Sequence, residues 1–341
     1  MYQALYRKWR PKVFSDVIGQ EHITETLKKQ VAEGRTSHAY LFTGTRGTGK
    51  TTCAKILAKA VNCEHPVNGD PCCQCPSCLG LESGSFLDVL ELDAASNNGV
   101  DQVRALRDEA IYAPANVKKR VYIVDEVHML STAAFNALLK ILEEPPAHLM
   151  FILATTELHK VPATILSRCQ RYSFKRILPR DIAQRLTYVA GQEHIDLTAD
   201  GAELLSRLAD GALRDGLSLL DQCAAAGGTV DSRAVLEVLG LAGNLQTAQL
   251  MRHILDRNAQ AALLLLNELY AGGKDVGAVL GELSTLTRDL LLRKTAPEGG
   301  AALLSGGFDS ATLDQLGKDV PSNRFLYLAS TLQKAAADLY Y

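Results

Sequence analysis

Residues 44–51 read GTRGTGKT and match the pattern G-x-x-x-x-G-K-[ST] at every fixed position. An apolar segment, 39–42, precedes them and a helix-like run, 50–62, follows, which gives the strand–loop–helix order that the pattern requires. The glycines allow positive φ values, so the backbone can approach a ligand closely and point its N–H groups at an anion near a helix start. A glycine-rich turn of no chemical function fits the same eight residues, so a second feature has to support the assignment.

The second feature is the segment 121–126, which reads VYIVDE. Its four apolar residues, rich in β-branched types, predict a strand buried on both faces in a parallel sheet. Asp125 and Glu126 then lie at the carboxyl end of that strand, where open α/β sheets bind their ligands. Two solvated acids are the alternative, but the order of the two motifs favours ATP binding and hydrolysis.

The chemistry of these motifs predicts roles for single side chains. We expect Lys50 to be catalytic and to reach the β- and γ-phosphates, and Thr51 and Asp125 to hold Mg²⁺. We expect Glu126 to be catalytic as well, because it would orient and polarise the attacking water. ATP and Mg²⁺ are therefore the expected cofactors. The predicted phosphate-binding residues are Gly44, Thr45, Arg46, Gly47, Thr48, Gly49, Lys50, Thr51 and Thr52.

The composition is that of a soluble globular protein. A length of 341 residues predicts two or three domains, and 47% hydrophobic with 22% charged residues is ordinary for this class. A net charge of −2 provides no basic field over the whole molecule, so any contact with DNA has to come from local groups. The sequence shows neither a signal-peptide pattern nor an apolar stretch of membrane-spanning length. We expect a cytoplasmic protein with no membrane partner.

Strand and helix signals divide the chain into three parts. Up to about residue 178, strand candidates alternate with helices, which predicts βαβ units and a parallel sheet. The strand candidates are 39–42, 88–92, 121–124, 149–154 and 171–174. Only helical patterns follow, short ones first and then longer ones rich in Leu and Ala. The predicted domains are an α/β nucleotide-binding domain over 1–178 and two helical domains over 179–241 and 242–341.

Four of the eight cysteines form a cluster with the spacing C-x₈-C-x₂-C-x₂-C, namely Cys63, Cys72, Cys75 and Cys78. Four thiolates suit tetrahedral Zn²⁺, and C-x₂-C spacing brings two sulfurs to one metal through a tight turn. The insertion that carries them, about 63–78, has little apolar content, so the metal would have to supply its folding energy. The sequence therefore predicts a structural zinc site.

Two neighbouring residues leave the ligand set open. Cys73 and His65 are further potential ligands, and the repeated x₂ spacing favours Cys72 over Cys73. A redox C-x-x-C pair or oxidised pairs are the alternatives to zinc, although neither requires four thiols.

Several short motifs occur in one order along the chain. They are the phosphate loop, DEVH at 125–128, the threonine pair 155–156, SRC at 167–169 and GALRD at 211–215. In this combination the chain resembles the AAA+ clamp-loader ATPases. Three further features narrow the resemblance to the tau/gamma family of bacterial DNA polymerase III subunits: YRKWRPKVFSDVIGQEH at 6–22, the cysteine insertion, and LDAASNNGVDQVR at 92–104. The resemblance is strong over about the first 240 residues and rests on position and composition beyond them.

The resemblance implies three more catalytic residues. Thr155 is similar to sensor 1, a hydroxyl beside the γ-phosphate, and a strand-end threonine bonded to its local backbone is the alternative. Arg168 is similar to the arginine finger, which acts on the nucleotide of the neighbouring subunit, and a surface salt bridge is the alternative. Arg214 is similar to sensor 2, which approaches the nucleotide of its own chain and therefore also counts as nucleotide-binding.

The segment 6–22, called the lead-in below, is similar to the segment that covers the adenine and ribose in this family. The implied contact residues are Arg7, Arg10, Pro11, Val17 and Ile18. A solvated basic tail anchored by Trp9 is the alternative.

DNA contacts are implied for Asn97, Asn98 and Arg104, at the start of a predicted helix. An asparagine pair that only caps this helix is the alternative.

The function implied by the resemblance is that of the ATPase motor subunit of the DNA polymerase III clamp loader. Its expected partners are further copies of itself, delta- and delta-prime-type subunits, the sliding clamp (beta) and primer–template DNA. The second domain would be the helical lid and the third the collar that holds subunits together, with a head-to-tail interface at the arginine finger. An AAA+ branch-migration or helicase-type motor and a non-catalytic nucleotide-binding scaffold are the alternatives. No carboxylate constellation for nucleotidyl transfer is seen, so we expect no polymerase active site in this chain.

Overall fold

The computed structural model describes residues 3–239, 244–297, 300, 303–305, 307–308 and 310–339. The chain divides into two compact units. The first unit comprises Met1–Leu186 with Ala209–Ser218, and the second comprises Thr187–Leu208 with Leu219–Tyr341. The predicted domain boundary near 241 lies outside the described residues, and our division at 178 and 241 stays a prediction.

The first unit contains the predicted parallel sheet. Its strands are β1 Ala39–Thr43, β2 Val89–Asp93, β3 Arg120–Asp125, β4 Leu149–Thr155 and β5 Gln170–Ser173. All pairings are parallel, and the strand order is β2-β3-β4-β1-β5. Each strand lies within one or two residues of its prediction. The α/β fold with a parallel sheet is therefore confirmed.

The helices agree with the predicted change from α/β to all-α structure. In the described residues they are α1 Leu5–Lys8, α2 Glu21–Ala32, α3 Lys50–Asn62, α4 Pro76–Ser83, α5 Val100–Ala110, α6 Thr132–Glu143, α7 Ala163–Leu166, α8 Pro179–Gln192, α9 Ala199–Leu208, α10 Leu213–Ala226, α11 Ser232–Val238, α12 Asn244–Leu255, α13 Ala259–Ala271, α14 Val276–Thr295, α15 Ser310–Gly317 and α16 Ser322–Asp338. Short 3₁₀ turns occur at Phe14–Asp16, Val127–Met129 and Leu158–Lys160. In the part of the chain so described, no helix is long and apolar enough to cross a bilayer.

Alternating side chains of the sheet build two cores in the first unit. Tyr40 and Phe42 of β1 pack with α2, α3 and the lead-in residue Phe14 on one face. Leu41 points to the other face, where it packs with α5 and α6. This period of two is what a strand covered on both sides requires, and it explains the continuous apolar runs in the sequence.

The second unit has a helical core of its own. Leu283, Leu286 and Leu290 follow one face of α14 and are buried with Met251 of α12 and Phe325 of α16. Their spacing of three and four residues is that of an amphipathic helix facing a core.

Candidate active site

A cavity of about 1040 Å³ lies in the first unit. Its walls come from the lead-in, the phosphate loop, the carboxyl ends of β2 and β3, and the first turn of α10. Ligands of open parallel sheets bind at this edge, so the position of the cavity agrees with the fold. Its size is at the upper end of the range for small-molecule sites.

The phosphate loop is held closed by its own lysine. Gly49 has a φ of 104° and caps α3, which begins at Lys50. The Lys50 ammonium donates to the carbonyl oxygens of Gly44 and Thr45, at 2.8 and 2.9 Å. Burial lowers the pKa of Lys50, and the nearby carboxylates of Glu126 and Asp125 oppose that effect. An ammonium has three donors, so one remains for a phosphate in addition to the two that shape the loop.

Gly47 shows why the loop needs glycine. Its φ is 78°, and a Cβ at this position would lie 2.6 Å from the Cβ of Ala212. Any larger residue would therefore collide with the segment that leads into α10 and would also be strained in its backbone.

The two predicted magnesium ligands are in contact. Thr51 Oγ1 donates to Asp125 Oδ2 at 2.7 Å, and Asp125 Oδ1 accepts from the backbone N–H of Glu126 at 3.0 Å. A hydroxyl and a carboxylate at the edge of an open cavity are the oxygen donors that Mg²⁺ prefers when it shares its shell with phosphate and water. The residues present therefore fit a magnesium ion.

Glu126 lines the cavity in a strained conformation. Its φ and ψ are 47° and 46°, a left-handed conformation that costs a non-glycine residue on the order of 1 kcal/mol or more. Its Oε2 accepts from the backbone N–H of Thr156 at 3.2 Å and from the Thr156 hydroxyl at 2.9 Å. The end of β4 thus fixes the carboxylate that is predicted to act on water.

Thr155 lies behind the cavity rather than in its wall. It is fully buried, and its hydroxyl is bonded to His128 Nδ1 at 3.0 Å while accepting from the backbone N–H of Glu157 at 3.0 Å. The alternative interpretation of Thr155 predicts a hydrogen bond to the local backbone, and the bond to Glu157 is such a bond. His128 also lies 3.4 Å from Glu126 Oε2, so it links Thr155 to the carboxylate. His128 belongs to the DEVH motif, but this link could not be predicted from the motif because it depends on separate segments meeting in space.

The lead-in residues lie at the cavity, and their contact with adenine and ribose stays a prediction. All five of the predicted lead-in residues line the cavity, namely Arg7, Arg10, Pro11, Val17 and Ile18. Arg10 Nε donates to Thr52 Oγ1 at 3.2 Å, which ties the lead-in to the start of α3. Arg214 also lines the cavity, with its guanidinium 5.0 Å from the ring centre of Tyr6. A freely solvated basic tail does not describe this segment.

Besides Thr155, three more residues predicted for the nucleotide site do not line the cavity. Gly44 and Thr45 contribute their carbonyls to Lys50 instead. Arg168 lies elsewhere on the first unit, where it donates to Glu143 and to the carbonyl of Thr164, both at 2.7 Å. This position agrees with action on another subunit, and equally with the surface salt bridge, so the role of Arg168 stays a prediction.

The predicted DNA residues do not cap a helix. α5 begins at Val100 with Gly99 as its N-cap and no capping side chain, so the capping alternative is wrong. Asn97 Nδ2 donates to the carbonyl of Asp93 at 3.2 Å, and Arg104 forms an exposed ion pair with Asp101 at 3.3 Å. DNA contact by Asn97, Asn98 and Arg104 stays a prediction.

Some residues of the cavity wall were missed in the sequence. They are Gln3, Tyr6, Trp9, Glu91, Asp93, Ala95, Ile177, Leu213 and Leu217. Asp93 had a signal, because it ends β2 in register with Asp125 at the end of β3. The apolar residues of this wall had no such signal in the sequence, because similar residues occur at any helix start or loop.

The four clustered cysteines come together in the first unit. The Sγ atoms of Cys63, Cys72, Cys75 and Cys78 all lie within 4.8 Å of one another. The Cys63–Cys75 and Cys72–Cys78 sulfur pairs are each 4.0 Å apart, against about 3.8 Å for two ligands of a tetrahedral zinc with 2.3 Å bonds. The donor set therefore fits Zn²⁺.

Hydrogen bonding and burial shift the thiol pKa values of this group in opposite directions. The backbone N–H groups of Gln74 and Cys75 lower the pKa of Cys72 to about 6, while burial raises the pKa of Cys63. Cys73 turns away from the cluster, and its thiol donates to the carbonyl of Lys12 at 3.7 Å. His65 is exposed and is not part of the group.

The fold and the site are those of P-loop proteins of the AAA+ class. Three family models match consecutive parts of the chain: the DNA polymerase III delta subunit over 19–177, the clamp loader subunit ATPase lid domain over 181–229, and DNA polymerase III gamma and tau domain III over 230–339. The gamma subunit of Buchnera aphidicola is 41% identical, over 83% of this chain and 78% of its own. The chain belongs to the DNA polymerase III tau/gamma subunit family.

Other relatives in the family are longer than this chain. The tau subunit of Bacillus subtilis is 47% identical over 99% of this chain and 60% of its own length. The Escherichia coli tau subunit is 42% identical over the whole chain, which spans 51% of that relative. Among solved structures, the RuvB Holliday junction branch migration motor of Thermotoga maritima matches 78% of this chain and 86% of its own with a TM-score of 0.52. At 16% identity this likeness shows the fold alone.

Proposed function

We propose that this chain is the ATPase motor subunit of a bacterial DNA polymerase III clamp loader, which uses ATP to open the sliding clamp and load it onto primer–template DNA. The observation that carries the proposal is the cavity of the first unit. It unites the phosphate loop, Asp125, Glu126 and Arg214 in a chain of the tau/gamma family. Neither the phosphate loop alone nor the family alone would assign turnover to these residues.

The chemistry follows from what each residue can do at the cavity. The loop N–H groups and Lys50 bind the phosphates, and Arg214 adds positive charge from the start of α10. Mg²⁺, held by Thr51 and Asp125, would supply neutralisation of phosphate charge. Glu126 orients water and receives its proton, and its fixed geometry removes the need to organise the carboxylate during the reaction.

The proposed assembly explains why Arg168 lies away from the cavity of its own chain. Its guanidinium would leave Glu143 and act on the nucleotide of the next subunit, which requires a head-to-tail contact. The proposed partners are further copies of this chain, delta- and delta-prime-type subunits, the sliding clamp and primer–template DNA, the last through Asn97, Asn98 and Arg104. In this proposal residues 179–241 act as the lid and 242–341 as the collar, and the complex works in the cytoplasm.

We further propose that Cys63, Cys72, Cys75 and Cys78 bind one structural zinc ion. The insertion around them buries few apolar side chains other than the cysteines themselves, so four metal–sulfur bonds would supply most of its stability.

Reconstitution tests the proposed function. The chain is combined with delta- and delta-prime-type subunits, and ATP turnover is measured with clamp and primed DNA added separately and together. Turnover should rise strongly only when both are present. The matched variant Glu126→Gln should bind ATP normally and lose turnover about 100-fold or more. Turnover that ignores the clamp would favour a branch-migration type of motor, and nucleotide binding without any turnover would favour a scaffold.

A further inference from the structure

Asp70 of the cysteine insertion forms hydrogen bonds with the lead-in. The Asp70 carboxylate accepts from the backbone N–H of Phe14 and from the Ser15 hydroxyl, each at 2.6 Å. Lys28 Nζ of α2 lies 3.5 Å from the same carboxylate, whose side chain is only 13% exposed. Because these bonds involve a charged acceptor largely shielded from water, they are stronger than ordinary surface contacts.

The turn that presents Asp70 is fixed against α2. Val67 and Asp70 exchange two backbone hydrogen bonds of 2.9 Å around Asn68 and Gly69. Both central residues have positive φ, 51° and 85°, as in the type I′ turns that favour Asn-Gly. A Cβ at Gly69 would lie 2.1 Å from the carbonyl oxygen of Lys28, so the turn packs directly on the helix backbone. The position of Asp70 is therefore determined by the fold of the insertion.

A second link joins the same two segments. Lys12 Nζ of the lead-in pairs with Glu82 of α4 at 2.6 Å, and the Lys12 carbonyl accepts from the Cys73 thiol. α4 begins inside the insertion and carries the proposed ligand Cys78. The Lys12–Glu82 pair is exposed, so it contributes less than Asp70.

The part of the lead-in that Asp70 contacts also borders the nucleotide cavity. Phe14 is fully buried and begins a single 3₁₀ turn, Phe14–Asp16, which leads directly to Val17 and Ile18. Those two residues line the cavity, as does Pro11 on the other side of Phe14. Displacing Phe14 would therefore move the surface that a nucleotide contacts.

We propose that Asp70 is a positioning residue that couples the cysteine site to the nucleotide site. With zinc bound, the insertion holds the lead-in in the conformation that lines the cavity. Without zinc, or without the Asp70 carboxylate, the lead-in has to be ordered when the nucleotide binds, which lowers affinity. The inference rests on the nucleotide and zinc binding proposed above, and linkage requires the effect to be reciprocal.

The experiment measures the coupling as a cycle of four dissociation constants. A fluorescent ATP analogue with Mg²⁺ is titrated into the full chain and into Asp70→Asn, each with zinc and after zinc removal by a chelator. In the wild-type protein, zinc removal should weaken binding about five- to tenfold. Zinc-loaded Asp70→Asn should show a similar loss, and zinc removal should change its affinity little further. A residue of purely structural importance would not abolish the zinc dependence in this way.

The reciprocal measurement is the dissociation constant for zinc, obtained by equilibrium competition with a colorimetric chelator. The ATP analogue should lower this constant in the wild-type chain by a similar factor and should have no effect in Asp70→Asn.

Two further variants keep the test decisive if Asp70→Asn folds poorly. Ser15→Ala removes one of the two donors from the lead-in side and leaves the insertion intact, so it should show a smaller loss of affinity at full zinc content. His65→Ala is the matched control, because His65 is an exposed residue of the insertion that is absent from the cysteine group and from the lead-in contacts described above. It should retain both wild-type affinity and zinc dependence.

The outcomes separate the coupling from the proposed function. If the wild-type chain binds the analogue and zinc-loaded Asp70→Asn and Ser15→Ala bind it equally well, the coupling is wrong while the proposed function stands. If the wild-type chain binds no analogue at all, both are wrong.

Discussion

The Glu126 carboxylate is bonded twice by Thr156, through the backbone N–H at 3.2 Å and through the hydroxyl at 2.9 Å, both at the same oxygen. One of the two carboxylate oxygens, Oε2, is therefore held by the residue that follows β4. This contact therefore holds Glu126 in one position, which is what action on a single water molecule requires.

Replacing the Thr156 hydroxyl should therefore lower turnover. Thr156→Val keeps the shape of the side chain and the backbone N–H but removes the 2.9 Å bond. A hydrogen bond to a charged group is worth about 1.5 kcal/mol, so basal ATP turnover of the reconstituted complex should fall by up to about tenfold at unchanged ATP affinity. Steady-state turnover without clamp or DNA measures this. Unchanged or higher turnover would mean that Thr156 does not hold Glu126 in its productive position.

Gly47→Ala should weaken nucleotide binding strongly. Its Cβ would lie 2.6 Å from that of Ala212, and its φ of 78° is unfavourable for alanine. Either the phosphate loop or the start of α10 would have to move, and both line the cavity. Equilibrium titration with the fluorescent ATP analogue should show at least a tenfold loss.

The control for this substitution is Gly34→Ala. Gly34 also has a positive φ, 66°, but a Cβ there would meet no atom of the described residues within 4 Å. It should therefore reproduce the backbone strain and leave nucleotide affinity unchanged. Equal losses in both variants would mean that strain, and not the collision with Ala212, is responsible.

Zinc removal should unfold the cysteine insertion while the parallel sheet persists. Metal analysis of the purified chain should find one zinc per chain, and Cys75→Ser should lose it, because three sulfurs leave the tetrahedral site incomplete. Limited proteolysis should then cut within residues 63–78. Cys73→Ser is the control and should keep its zinc, since that thiol faces the Lys12 carbonyl. A metal-free wild-type chain that resists proteolysis would refute the zinc site.

The sequence predicted the features that depend on local spacing. The phosphate loop, the strand ending at Asp125 and the cysteine cluster are each encoded within a few residues, and the structure brings the predicted partners together. Thr155 shows the limit of this reasoning. Its position at a strand end was evident, but its burial behind His128 depends on the packing of β4 against the turn after β3.

Contacts between distant segments were equally hidden. Asp70 has no motif that marks it, because its partners Phe14 and Ser15 lie more than fifty residues earlier in the chain. The asparagine pair at 97–98 looked like a helix cap, whereas the backbone reaches Gly99 before the helix begins. Residue type alone could not predict the partners of Asp70 or show that the asparagine pair lies outside the helix.

Arg168→Ala should separate nucleotide binding from hydrolysis. Arg168 is absent from the cavity of its own chain, so the ATP affinity of the isolated chain should not change. Turnover of the reconstituted complex should fall on the order of 10³-fold if the guanidinium stabilises the transferring phosphate of a neighbour. Glu143→Ala is the matched control, because it breaks the same 2.7 Å ion pair but keeps the arginine, and it should preserve turnover. Complexes that mix Arg168→Ala with Glu126→Gln chains should place the defect in the adjacent site. If both single variants lose turnover equally, the ion pair serves stability and Arg168 has no role in catalysis.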